Sequence, residues 1–333
     1  MARVFAELAD GRFHSGEALA RALGVSRSAV WKAAAALRAA GSALHAVPNR
    51  GYRLAQSSEP LDPVRIGGHL AREVRQHIVS IDVAWAIGST NTALLECANP
   101  ESGTAEVLLA EYQSAGRGRR GRAWLAPPGG AICLSMSWTF REVPQDLGAL
   151  GLVVGVCALK ALREHGVDGV SLKWPNDLLV DERKLGGVLI DLRAESAGAA
   201  CVVIGIGLNL ALGAAVLRQI AASGTAATDL ASLARPLPAR NALAAALVSA
   251  CVHGLIQFER QGLKPFIEDW RAADALRGRA VNVSAPRRSM PRATPRATPS
   301  AALTFTARPR SASAARQSSM NGLRPCRSNS MSP

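Results

Sequence analysis

The sequence predicts a chain of mixed α and β structure in two folded parts, followed by a stretch of different character. Three observations predict it. Apolar residues recur with helical spacing through the first 40 residues and then give way to a short hairpin pattern. From residue 64 onward, alternating and wholly apolar runs are interleaved with helical segments. From Val281 the composition changes: the last 53 residues hold nine Arg, seven Pro and ten Ser and no acidic residue. The 333-residue length leaves room for roughly two to three domains at about 100–200 residues each.

The formal charge of +14 is concentrated in that last stretch; without it 30 basic residues face 25 acidic ones. The six cysteines, Cys97, Cys133, Cys157, Cys201, Cys251 and Cys326, are scattered without a CxxC pair. That spacing argues for reduced thiols in a cytoplasmic protein rather than a disulfide framework or zinc site. Met1 to Asp10 holds two acids and lacks the apolar core of a signal peptide. Ala199 to Leu217 approaches the length of a membrane span, but Gly205, Gly207 and Asn209 break it, so a buried strand and loop are expected and no membrane.

In order, residues 1–54 read as a small DNA-binding unit. Val4, Phe5 and Leu8 give a first helix face, and Gly16 to Leu23 give a second helix. Gly24-Val25-Ser26 is the turn, with Ser26 placed to cap a third helix from about Arg27 to Ala40. Val30, Ala34 and Leu37 fall on its inner face; Ser28, Trp31, Lys32 and Ala35 fall outside. Two short strands then flank Pro48-Asn49-Arg50-Gly51, a hairpin with a basic tip. This is a winged helix-turn-helix in outline; a three-helix protein-interaction module is the alternative. Residues 55–63, polar and with two prolines, read as a linker.

The larger part spans 64–272. His77 to Trp85 alternates as a strand, and Gly88-Ser89-Thr90-Asn91 opens a helix with Ser89 or Thr90 as cap. Free amides, two hydroxyls and a carboxamide there would floor a polar pocket. The apolar run Val107 to Ala110 leads into Glu111 to Leu125, where Arg117, Arg119, Arg120 and Arg122 alternate with Gly116, Gly118 and Gly121 before Trp124. Glycine lets backbone wrap a ligand, arginine forks match carboxylate and phosphate oxygens, and Trp124 can stack on a flat ring. The segment reads as a strand-anchored loop closing over an anion with an aromatic group; a disordered, RNA-binding Arg-Gly tract is the alternative. It lacks the spacing and ending of a nucleotide P-loop. Ile132 to Phe140 is a further strand and Leu147 to Glu164 a helix. Lys173-Trp174-Pro175-Asn176-Asp177 and Lys184-Leu185-Gly186-Gly187 place two lysines and a carboxylate beside apolar strands, costly unless paired or facing a ligand. Gly205 to Asn209 lacks the third glycine and helix of a dinucleotide fingerprint. Asn241 to Phe258 and Pro265 to Trp270 read as structural helices.

Taken in order, Ser89-Thr90-Asn91, the GRGRRGR-x-W run from Gly116 to Trp124, KWPND from Lys173, KLGG from Lys184 and GIGLN from Gly205 resemble the motif series of biotin–protein ligases. Residues 1–54 resemble the repressor domain carried by one class of that family, and the resemblance extends to about residue 283. It implies an α+β fold: a winged helix-turn-helix, a mixed sheet with helices similar to class II aminoacyl-tRNA synthetases, and a small C-terminal β-barrel. Of the barrel only a start at 273–283 is legible. Residues 284–333 are expected to be disordered, either as a native basic tail or through a frameshift that would weaken ligase activity and leave a ligand-sensing repressor.

The resemblance also implies the chemistry. Biotin and ATP, with Mg²⁺, give biotinyl-5′-adenylate, and biotin passes to a lysine of a carboxylase's biotin carboxyl carrier domain. The adenylate acts as corepressor and promotes a homodimer on operator DNA. By resemblance, Ser89, Thr90, Asn91, Gln113, Arg117, Gly118, Arg119 and Lys184 contact biotin, with Lys184, Arg119 and Asp177 catalytic. Arg120, Arg122, Trp124, Lys173 and Asn209 take the adenylate side. Asp177 binds Mg²⁺ or receives the acceptor amine. Ser26, Arg27, Ser28, Trp31, Lys32 and Arg50 meet DNA. A lipoate or other acyl-carrier ligase on the related fold is the alternative, and the GRGRRGR loop is more typical of biotin enzymes.

Overall fold

A computed structural model describes residues 1–194, 200–233 and 236–279. The strand expected at Val281-Asn282-Val283 and the disorder expected from Ser284 lie outside the described residues. The architecture is α+β.

Helices α1 (Ala2–Leu8), α2 (Gly16–Leu23) and α3 (Arg27–Ala39) close a small core of Val4, Phe5, Leu8, Leu19, Val30 and Leu37. Local chemistry sets their ends. Ser15 accepts from Ala18 N at 3.0 Å to start α2, and Gly24 ends it in the left-handed region. Ser26 accepts from Ala29 N at 3.2 Å to start α3. Strands β1 (Leu44–Val47) and β2 (Gly51–Leu54) form the wing, and His14 exchanges two backbone hydrogen bonds with Tyr52 to add a third short edge. Gly51 makes this possible: its φ is 95°, and a Cβ there would stand 2.0 Å from the His14 carbonyl oxygen.

Residues 55–63 are fastened rather than loose. Ser58 donates to the Gly129 carbonyl at 3.1 Å, and Leu61 N donates to Glu111 at 2.6 Å. Asn241 takes Asp62 N on its oxygen at 2.8 Å and gives its amide to the Pro60 carbonyl at 3.0 Å. The Glu59 carboxylate accepts from Asn241 N at 3.1 Å, satisfying one free amide of a long helix. Behind the strap lies an ion pair, Arg240 to Glu111 at 2.9 Å, with each side chain only 5% exposed. The helical unit also touches the larger one directly: the Phe5 and Trp85 rings lie 5.3 Å apart.

The larger unit runs α4 (Pro63–His69), α5 (Arg72–Arg75), β3 (Ile78–Ile87), α6 (Thr90–Glu96), β4 (Ala105–Gln113), β5 (Ala131–Phe140), α7 (Leu150–Glu164), β6 (Ser171–Lys173), β7 (Asp177–Val180), β8 (Arg183–Ala194), β9 (Ala200–Asn209), α8 (Ala214–Ala222), α9 (Arg240–Gln261) and α10 (Ile267–Ala273). The sheet order is β3-β4-β5-β9-β8-β7-β6, with β3 and β4 parallel and every other neighbour antiparallel. From Ala200 the apolar run becomes β9 and a short loop, as its glycines and asparagine foretell, but its end enters α8, a helix not expected from the sequence. Helix α9 is long and apolar enough to cross a membrane, but Leu243, Leu247, Leu255 and Phe258 are buried in the protein core.

The strand period of two separates the sheet's tasks. Met136, Trp138, Phe140, Ile204 and Ile206 alternate onto the face covered by α7 and α9, each contributing about 1.5–3 kcal/mol through burial. Their neighbours in sequence point the other way and are small or polar: Cys133, Ser135, Gly205 and Gly207. The register sets Ser135 opposite Gly205 and Cys133 opposite Gly207. That second face holds the cavity.

Candidate active site

The floor is built where α6 begins. Ser89, not Thr90, caps the helix by accepting from Thr92 N at 3.4 Å. Thr90 is thereby free for other partners. Its amide and hydroxyl both reach Gln113 Oε1, at 2.8 and 3.1 Å. Ser135 Oγ lies 2.6 Å from Thr90 Oγ1 and 2.5 Å from Asn91 Oδ1. Asn91 donates from Nδ2 to Asp191 at 3.0 Å. Ser89, Thr90, Asn91 and Ser135 are all buried. Gly205 leaves the space for Asn91, since a Cβ there would meet Asn91 Oδ1 at 2.2 Å.

The arginine loop folds back over this floor. Trp124 N donates to the Gly116 carbonyl at 2.9 Å and Gly118 N to the Arg122 carbonyl at 2.7 Å. Arg117 reaches Thr92 Oγ1 at 3.2 Å and Asp191 at 3.4 Å. Arg119 donates to Asn176 Oδ1 at 3.2 Å, and Asn176 Nδ2 holds the Val188 carbonyl of β8 at 2.8 Å. The indole of Trp124 packs against the bare Cα of Gly207, where a Cβ would come within 2.6 Å of the ring. Lys184 Nζ stands 5.9 Å from the centre of that ring and pairs with Asp177 at 2.6 Å. Beyond them Asn209 donates to the Thr228 carbonyl at 3.0 Å, while its buried Oδ1 has no partner.

These groups converge on one cavity of about 230 Å³. Of the residues expected there, Ser89, Thr90, Asn91, Gln113, Arg117, Gly118, Arg119, Arg122, Trp124, Lys184 and Asn209 line it. Asp177 stands at its edge through Lys184. Arg120 and Lys173 do not line it: Arg120 is exposed with φ 57°, and Lys173 is exposed on the outermost strand. Sequence reasoning missed Cys133, Ser135, Asn176 and Asp191 as site components. The alternation of β5 carried a signal for the first two once the buried face was assigned. Asn176 already stood inside the KWPND motif.

Cys133, Cys157 and Cys251 are buried free thiols. Burial pushes Cys133 up to about 11 and Cys157 up to about 12, and raises Cys251 well above the usual thiol range.

The residues expected to meet DNA lie apart from the cavity. Arg27, Ser28, Trp31 and Lys32 are exposed on α3, Trp31 at 61%. Ser26 is the cap of that helix. Arg50, at the wing, stacks its guanidinium 4.2 Å from the centre of the Phe13 ring.

Comparison with known proteins agrees with this division. Residues 84–209 match the model of the Biotin/lipoate A/B protein ligase family, and residues 3–53 match that of an HTH domain. The bifunctional ligase/repressor BirA of Escherichia coli (strain K12) is 37% identical over 281 residues, covering 84% of this chain and 84% of that protein. The chain belongs to the biotin–protein ligase family. Within the family, the Bacillus subtilis (strain 168) bifunctional ligase/repressor BirA is 34% identical over 204 residues, 61% of this chain and 62% of that one. The Mycobacterium tuberculosis biotin–[acetyl-CoA-carboxylase] ligase is 35% identical over 213 residues, 62% of this chain and 75% of that one. Among solved structures, a point mutant of the Aquifex aeolicus biotin protein ligase, in complex with biotin, matches at TM-score 0.50 and 28% identity, over 60% of this chain and 80% of that one. Family membership makes the chain an enzyme, a ligase with a helix-turn-helix in front of its catalytic sheet.

Proposed function

We propose that the chain activates biotin with ATP to biotinyl-5′-adenylate and passes it to a lysine of a carboxylase's biotin carboxyl carrier domain. The observation that carries this is the union, in one cavity, of a buried polar floor, a cationic loop and Lys184. The first half-reaction brings together two anions, a carboxylate and a polyphosphate. Fixed cations in a water-poor site are the means to do so. The biotin carboxylate oxygen attacks the α-phosphorus and pyrophosphate leaves; then the acceptor amine attacks the acyl carbon and AMP leaves. Lys184 is the main cation at the reacting carboxyl and phosphate, with Arg119 beside it. Trp124 and the unpartnered Asn209 oxygen suit a flat base that carries an amino donor. Gly207 leaves the space that the Trp124 ring takes up.

Lys184 pairs with Asp177 at 2.6 Å, so binding of the anions would exchange one partner for another. Asp177 is then left to take the proton of the acceptor amine. The residues do not fit a protein-held Mg²⁺ site. Asp177 is a single carboxylate, and no group of three metal-binding side chains exists among the described residues. A magnesium ion would arrive on the nucleotide's own phosphates.

Lys184→Ala tests the assignment. Removing one such stabilising group costs about 10²–10³ in rate. Radiolabelled biotinyl-AMP should fall below detection while circular dichroism stays unchanged; retained synthesis rejects the role.

The exposed face of α3 and the wing support a second activity, biotin-responsive repression by an adenylate-promoted homodimer on operator DNA. Gel shifts at several salt concentrations, with and without biotin plus ATP, test it. Binding should weaken steeply with salt. Specific binding indifferent to biotin and ATP rejects the coupling.

A further inference from the structure

We propose that Asp191 is a positioning residue: it fixes the proton directions of the hydrogen-bond chain on the cavity floor and so orients Asn91 toward biotin. The inference rests on the reading of that floor as the biotin site.

Asp191 sits on β8 behind Asn91 and does not line the cavity. A carboxylate only accepts hydrogen bonds, whereas a carboxamide both gives and takes. Asn91 must therefore aim Nδ2 at Asp191, at 3.0 Å, and its oxygen at Ser135, at 2.5 Å. Ser135 then has to donate to Asn91. Having one proton, it must accept from Thr90, whose hydroxyl is 2.6 Å away. Gln113 Oε1 is left to the Thr90 amide at 2.8 Å. The Asp191 carboxylate, with the Leu189 carbonyl 3.5 Å from the same Nδ2 as a weaker second acceptor, thus determines which way each hydroxyl points.

This matters for the ligand chemistry. Biotin's cyclic urea has one carbonyl acceptor flanked by two N–H donors. Hydroxyls that rotate freely recognise such a group poorly, and a floor with preset protons recognises it at little ordering cost. The other oxygen of Asp191 lies 3.4 Å from Arg117, so the same carboxylate also ties the floor to the loop above it.

Asp191→Asn keeps the shape but lets the chain reverse, because the new group can donate. Biotin-dependent ATP–pyrophosphate exchange on the full chain, with titration calorimetry of biotin, reads the effect. The expected result is a rise of about ten- to a hundredfold in KM and Kd for biotin, of the size of a lost charge-assisted hydrogen bond. The KM for ATP should stay put and kcat should change less than about threefold, by the logic of lost uniform binding. Asp191→Glu should recover part of the loss. In an Asn91→Ala background, Asp191→Asn should add nothing, since the carboxylate acts through that amide.

An unchanged biotin KM overturns the inference. So does a fall in kcat alone, which is what a merely structural role gives, or a full effect in the Asn91→Ala background. If the wild-type chain shows neither biotin binding nor exchange, the reading of the floor fails and this inference with it. Wild-type activity with an indifferent Asp191→Asn variant sinks only the inference.

Discussion

Glu111→Gln should destabilise this protein severely, although Glu111 does not line the cavity. Its carboxylate meets Arg240 at 2.9 Å, and each side chain is only 5% exposed. It also accepts Leu61 N at 2.6 Å. Glutamine keeps the volume but leaves a buried guanidinium uncompensated and turns one acceptor into a donor facing other donors. Breaking a buried pair from one side costs about 3–5 kcal/mol. For a unit of about 150–250 residues each kcal/mol shifts Tm by about 2–4 °C, so Tm should fall by about 6–20 °C. The control is Arg21→Ala: its pair with Glu17 lies at 3.0 Å but is 78% and 70% exposed, so the change should be small. Calorimetry measures the shift, and limited proteolysis reports whether residues 55–63 are released first. The double variant Glu111→Leu, Arg240→Met should recover most of the loss, because apolar replacement of a buried pair is often neutral or better. A loss below about 1 kcal/mol for Glu111→Gln, or a double variant no better than the single, refutes the reasoning.

The remaining expectations concern the two ends of the cavity, pH, a thiol and DNA. Gly205→Ala drives a methyl into Asn91 and should raise the biotin KM at least about tenfold, whereas Gly207→Ala displaces Trp124 and should raise the ATP KM first. The reverse pattern in exchange kinetics would invert the two ends. Burial raises the Glu59 carboxyl, but hydrogen bonds from Asn241 and the charge of Arg65 outweigh it and hold it below the ordinary 4.5. Its folded value is therefore the lower one: the stabilisation is present above pH 4.5 and is lost as pH falls through the folded value, so cleavage within residues 55–63 should rise only below that point. Cys133, pushed up to about 11 by burial, should resist iodoacetamide at about pH 8 until the protein is denatured, as read by mass shift. Lys32→Ala should reduce the salt slope of DNA binding by about one, in titrations at several salt concentrations.

The helical unit was legible because its signals are local. Ser26, Gly24 and the Val30-Ala34-Leu37 face each act within a turn or two of themselves. The arginine loop was legible through composition, since so many guanidinium groups among glycines need an anionic partner. The choice between Ser89 and Thr90 as cap was not, because either hydroxyl fits the pattern and Gln113 decides it from 23 residues away. Ser135 and Asp191 stayed hidden for a related reason: they matter only once β5, β8 and β9 are in register. Residues 55–63 looked like a plain linker because Glu59 and Glu111 meet Arg240 across separations of 181 and 129 residues. Arg120 shows the limit of reading a cluster as a unit, for a left-handed backbone turns it away from its neighbours' cavity.

The strap at residues 55–63 has a bearing on operator architecture. A flexible tether of comparable length would let a reading head wander by about 5–6 Å times the square root of its length. Here the head is clamped, so two chains related by a two-fold axis would present their α3 helices at a separation dictated by the enzyme bodies. The protein would then act as a fixed ruler along the duplex. Half-sites are read on one side of the helix, about 34–36 Å apart or a multiple of that. Inserting about five base pairs between them would turn one half-site to the far side of the DNA, and a clamped head has no slack with which to follow it.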